Sequence, residues 1–258
     1  MNGQTHGIAR GTLQRATHWL AIALTLLACV PVCGFTLVPM VQNFAPSGRK
    51  ANQAFQVENE SGQTVAIQIS MKTRTISADG RESNEDAEDD FIVYPAQLIL
   101  KPREAQTVRV KWIGNPKPDR ELAYRIVAEQ LPVNVSKEQE AGINIKIMTR
   151  YLGSVYIVPN GAKPAVALDL AQPQRNAGGR EELLVQLGNH GTKHAMLRDL
   201  RLRIQSQGRT VELGPESLKG LAGENLLAGG QRKIALPWPE GIPFGPVEVT
   251  FRFAQGKN

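Results

Sequence analysis

The chain has 258 residues, of which 41% are hydrophobic, 21% charged and 5% aromatic, with 24 glycines and 16 prolines. That length accommodates one large domain or two ordinary ones, and such frequent glycine and proline suits many short strands better than long helices. The formal charge of +6 is spread along the chain without a lysine–arginine block, which argues against a nucleic-acid partner.

The N-terminus reads as an export signal. Arg10 and Arg15 precede an apolar run over residues 19–30, followed by Pro31-Val-Cys-Gly34. This is the succession of basic region, short apolar region and small-residue cleavage site that marks a cleaved signal peptide, here expected to be residues 1–34. The apolar run is short for a bilayer span. A lipoprotein alternative would acylate Cys29 in Leu26-Leu-Ala-Cys29. Cleavage after Gly34 removes both cysteines, Cys29 and Cys33, so the exported chain is expected to rely on its core and not on a disulfide. Loss of Arg10 and Arg15 takes the formal charge from +6 to +4.

Beyond residue 34, strand signals dominate. Val65, Ile67, Ile69 and Met71 alternate with Gln68, Ser70 and Lys72, as in a half-buried strand. Asp79-Gly80 is a turn signal. It opens an acidic stretch, residues 82–90, which reads as a solvated loop because it lacks the ligand spacing and mid-loop glycine of a calcium site.

Residues 89–158 then read as four or five consecutive strands. Phe91-Ile-Val-Tyr-Pro95 and Leu98-Ile-Leu-Lys-Pro102 come first, then Thr107-Val-Arg-Val-Lys-Trp-Ile113 and Tyr124-Arg-Ile-Val-Ala128. A surface segment over 131–142, with a chance Asn134-Val-Ser136 sequon, leads into a long final run over 143–158. That run begins with Ile143, Ile145 and Ile147, whose spacing of two sets one aliphatic row on one face. Such a row is either buried in its own sheet or offered to another chain. Lys146 and Arg150 sit at the opposite parity, where a cation could grip a partner's carboxylate.

Pro159-Asn-Gly-Ala-Lys-Pro164 interrupts the strand pattern and is the expected domain boundary. Further short strands follow, ending with Val247, Val249, Phe251 and Phe253 alternating with Glu248, Thr250 and Arg252. The expected fold is therefore all-β, with one domain over 35–160 and another over 161–258.

Catalytic signals are missing. No nucleophile elbow, phosphate loop or paired carboxylate is recognisable, and an enzyme is not expected. His190 and His194 lie four apart, but their glycine-flanked segment reads as a turn, so no metal site and no cofactor are expected.

Three segments in order carry a family likeness: Phe91-Ile-Val-Tyr-Pro-Ala-Gln-Leu-Ile-Leu-Lys-Pro102, Gln106-Thr-Val-Arg-Val-Lys-Trp112 and Glu121-Leu-Ala-Tyr-Arg-Ile-Val-Ala-Glu-Gln-Leu-Pro132. A hydrophobic strand ending at Pro159 follows them. In these segments the chain resembles a periplasmic chaperone of the chaperone–usher pilus pathway, the PapD-like superfamily, in a branch distant from its best-known members. The resemblance covers roughly residues 35–164 and reaches the C-terminal part only by strand count.

What the resemblance implies is a boomerang of two immunoglobulin-like sandwiches. The final strand of the first sandwich is lent to incomplete pilus subunits, which pass to an outer-membrane usher, with no ATP or cofactor needed. Ile143, Ile145 and Ile147 would be the donor row, and two free copies could associate through the same edge. The family anchors the subunit's terminal carboxylate with an arginine on the first strand and a lysine on the donor strand. Here Ser154 falls at the lysine position, and residues 37–44 hold no cation. Arg150 is the expected substitute, followed by Lys146 and Arg125, since a guanidinium clamps a carboxylate in bidentate fashion. The rival reading is an immunoglobulin-like envelope or adhesin module that keeps the strand internal.

Overall fold

The computed structural model describes residues 34–132 and 148–254. The signal peptide with Cys29, the Asn134 sequon, the donor row Ile143, Ile145 and Ile147, and Lys146 lie outside the described residues.

The first half contains eleven strands: β1 (Phe35–Val38), β2 (Val41–Phe44), β3 (Asn52–Asn59), β4 (Val65–Thr73), β5 (Thr75–Ile76), β6 (Glu82–Ser83), β7 (Phe91–Tyr94), β8 (Gln97–Leu100), β9 (Ala105–Trp112), β10 (Leu122–Leu131) and β11 (Arg150–Ile157). Nine of them form two facing sheets, ordered β1-β3-β9-β7 and β2-β11-β10-β4-β8, while β5 and β6 make a separate hairpin. The period-two pattern explains the packing. Phe55 and Val57 of β3, Ile67, Ile69 and Met71 of β4, and Val108, Val110 and Trp112 of β9 all point into one core. Phe91 meets Trp112 and Tyr124 edge-on, with ring centroids 5.1 and 4.9 Å apart.

The segment over 37–44 contributes to two strands. β1 pairs antiparallel with β3, whereas β2 pairs parallel with β11 in the other sheet. Pro39 stands at the break; having no N–H, it cannot continue a ladder, and the chain changes sheets there. The long run expected over 143–158 is a strand from Arg150 onward among the described residues.

The second half adds β12 (Val166–Arg175), β13 (Glu181–Asn189), β14 (Ala195–Met196), β15 (Arg198–Ser206), β16 (Arg209–Leu213), β17 (Asn225–Leu226), β18 (Gln231–Pro237) and β19 (Glu248–Ala254). Sheets ordered β12-β13-β18 and β16-β15-β19 enclose a second core built from Leu183, Val185, Leu187, Leu200, Leu202 and Ile204. Both sandwiches use the same internal clamp. Asn59 at the end of β3 donates through Nδ2 to the carbonyls of Gln63, Leu100 and Lys101. Asn189 at the end of β13 does the same for Lys193, Leu226 and Leu227. Each buried amide thereby serves carbonyls at a strand end and in the adjoining loops.

Candidate functional site

β11 is flanked unequally. On one side β10 pairs with it along its whole length, from Arg150 opposite Glu129 to Ile157 opposite Leu122. On the other, β2 reaches only Ser154 to Ile157. Among the described residues, Arg150 to Gly153 therefore present an unpaired edge. Met148, Leu152, Met40 and Val41, all exposed, lie in the segments that border it. An apolar, half-open strand edge is a template for another strand.

The inward row of β11 (Tyr151, Val155 and Ile157) joins the core. The outward row is Arg150, Leu152, Ser154 and Tyr156, and its lower end is buried by charged neighbours. Gly153 sits where the chain from β2 crosses: a Cβ there would meet Ile126 Cγ2 at 2.7 Å and the Met40 carbonyl at 3.3 Å. Only glycine fits so close an approach without moving its neighbours.

Against Ser154 lies Arg125, cross-strand on β10, donating from Nη1 to the serine Oγ at 2.7 Å. Its Nε and Nη2 donate to the two oxygens of Glu82 at 2.7 and 2.6 Å. Arg74, at the end of β4, donates from Nε to Glu82 Oε2 at 2.9 Å and from Nη1 to the Tyr156 hydroxyl at 2.9 Å. The two arginines are largely buried, their side chains 9% and 16% exposed for Arg74 and Arg125. Burial alone would raise the Glu82 pKa. The Arg125 hydrogen bond and the Arg74 charge outweigh it and bring the carboxyl down to about 2.

The second sandwich closes this group from below. Asn225 donates to the Tyr156 hydroxyl at 2.6 Å, and His194 stacks on the Tyr156 ring with centroids 4.2 Å apart. His194 Nδ1 lies 2.6 Å from Oε1 of Glu121, a buried carboxylate of the first sandwich. His190 instead faces Asp169 at 2.7 Å, so the two histidines turn to different carboxylates.

The sequence-based candidates thus separate. Arg125 is in the cluster. Arg150 is half-exposed and 3.8 Å from Glu129, four residues along the strand from Ser154, which is about 13 Å at 3.3 Å per residue. Arg74 and Glu82 were missed. Arg74 carries no pattern signal, and Glu82, expected within a solvated loop, is pinned on β6 between two guanidiniums. No periodicity could place a hairpin's carboxylate against β4 and β10. On its other side Ser154 is paired with Val41 of β2, which brings no cation. What the group offers chemically is two guanidiniums already sharing one carboxylate, in a hydrogen-bond-rich end to an open strand edge.

Residues 44–163 match the family described as pili and flagellar-assembly chaperone, PapD N-terminal domain. No curated protein sequence matches the chain. Among solved structures, the class 5 fimbriae chaperone CfaA is 15% identical, with a TM-score of 0.53 over 86% of this chain and 100% of that one. A chain of the chaperone–tip adhesin complex described as vital for synergistic activation of CFA/I fimbriae biogenesis is 16% identical, with a TM-score of 0.54 over 85% and 99%. One from the CsuC–CsuE chaperone–tip adhesion subunit pre-assembly complex of Acinetobacter baumannii is 17% identical, with a TM-score of 0.51 over 79% and 91%. The fold is the two-domain, immunoglobulin-like one of the fimbrial chaperones. Most of the first sandwich lies within the matched residues 44–163, and the two-domain fold is shared with those chaperones.

Proposed function

We propose that this protein is a periplasmic chaperone that captures pilus or fimbrial subunits by donor-strand complementation and hands them to an outer-membrane usher. It acts without catalysis or cofactor. The observation that carries the reading is the half-open edge of β11, which ends in the Arg74–Arg125 cluster. Backbone pairing along such an edge supplies affinity, and alternate side chains supply specificity. In this reading residues 1–34 are the export signal, 35–160 the subunit-binding domain and 161–258 the second domain. Ile143, Ile145 and Ile147, immediately upstream of β11, fill the subunit's open groove. Arg125 with Arg74 anchors the subunit's terminal carboxylate, in preference to the more distant Arg150. The same edge can pair two copies of the free chaperone.

The test is periplasmic co-expression with the pilin-like subunits encoded beside its gene, followed by pull-down. Ile145→Asp is expected to abolish a one-to-one complex, and Arg125→Gln to weaken it more than Arg150→Gln. Capture that survives Ile145→Asp would remove the donor assignment, and capture of no subunit would favour an envelope module.

A further inference from the structure

The cation pair is already holding a carboxylate. Both oxygens of Glu82 are engaged, Oε1 by Arg125 Nε and Oε2 by Arg125 Nη2 and Arg74 Nε, at 2.6–2.9 Å. Glu82 belongs to neither sheet of the sandwich. It sits on β6, opposite Ile76 of β5, in a hairpin whose turn is closed by bonds from the Ser77 N–H to the Arg81 carbonyl and from the Gly80 N–H to the Ser77 carbonyl. The tip reaches the second sandwich: the Lys233 N–H donates to the Ala78 carbonyl at 2.7 Å, and the Arg232 guanidinium lies where a side chain on Gly80 would be.

We propose that Glu82 is an internal stand-in for the incoming terminal carboxylate: it occupies Arg74 and Arg125 in the free protein and is displaced, with its hairpin, when a subunit's C-terminus arrives. This rests on reading the two arginines as the anchor. Two largely buried guanidiniums without an anion would be strongly unfavourable, so the free protein needs a counter-charge of its own there. A tethered carboxylate also competes at a high effective concentration. A free small carboxylate cannot match that advantage, whereas a polypeptide whose carboxylate arrives together with strand pairing along β11 can. Glu82 thus makes the arginine pair selective for a C-terminus delivered as part of a strand. It also couples capture to the contact between the hairpin and β18.

The experiment uses the exported chain and a synthetic peptide of alternating valine and threonine, supplied with a free C-terminal carboxylate or as its amide. In calorimetric titration, Glu82→Gln is expected to bind the acid peptide at least about tenfold more tightly than the wild type, because a charge-assisted competitor has been removed, while the amide is unchanged. Arg125→Gln is expected to lose the preference for acid over amide. Amide hydrogen exchange in residues 75–83 of the wild type is expected to speed up at saturation with the acid peptide. If Glu82→Gln gains nothing while Arg125→Gln loses the acid preference, the anchor stands and the stand-in is refuted. If Arg125→Gln keeps the preference, the anchor itself is refuted, and the stand-in with it. Should Glu82→Gln fold poorly, unchanged hairpin exchange in the bound wild type overturns the proposal by itself.

Discussion

Acid should loosen the Glu82 clasp by an amount that the site itself fixes. Burial works to raise the carboxyl's pKa, but the Arg125 hydrogen bond and Arg74 charge lower it from 4.5 to about 2. A folded value below the unfolded one means the stabilisation is fully present above about pH 4.5 and is lost as pH falls toward 2. At 1.36 kcal/mol per unit the gap is about 3 kcal/mol. The carboxylate is 24% exposed, so solvent screening reduces this to about 2 kcal/mol. The assay is urea unfolding of residues 35–258 followed by Trp112 fluorescence in a Trp238→Phe background, with and without Glu82→Gln. Trp112 is buried in the first core, so it reports on the sandwich that holds the clasp. The wild type is expected to exceed Glu82→Gln by about 2 kcal/mol at neutral pH, nearly as much at about pH 5, and less than half as much at about pH 3. A difference that does not change with pH, or no difference at neutral pH, would refute the assignment of an ionised carboxylate between these two arginines.

Two packing predictions accompany it. Gly153→Val should destabilise the first sandwich by about 1–3 kcal/mol, because its Cβ would lie 2.7 Å from Ile126 Cγ2, and the shift should appear as a lower urea midpoint. Asn59→Ala strips a donor from three carbonyls, in bonds of which two are only partly buried. A loss of about 2–4 kcal/mol is expected, reading each carbonyl at about 1 kcal/mol; a loss under about 0.5 kcal/mol would mean that water replaces the amide freely.

The two-sandwich, all-β fold was legible because it rests on local periodicity. Alternation in 65–71, 107–112 and 247–253 marks strands with one buried face whatever their partners, and Pro159 to Pro164 marks a break between two such series. Asp79-Gly80 gave the turn of the β5–β6 hairpin for the same local reason. The placement of Arg125 on a strand was equally readable.

Which cations meet was a matter for the tertiary structure alone. Glu82, Arg125, Ser154 and Tyr156 come from three strands and Arg74 from the residue after β4, spread over more than eighty positions of the chain. Only sheet order brings β4, β10 and β11 side by side, and only the contact with the second sandwich covers the outward row at Tyr156. Parity says that Ser154 and Arg150 share a face; it does not say that one end of that face is shut and the other open. The face is shut where Arg125 and the second sandwich cover Ser154 and Tyr156, and the edge beside it opens where β2 stops at Ser154. Strand identity is written in neighbouring residues, whereas an edge is defined by where other strands stop, and no local pattern encodes that.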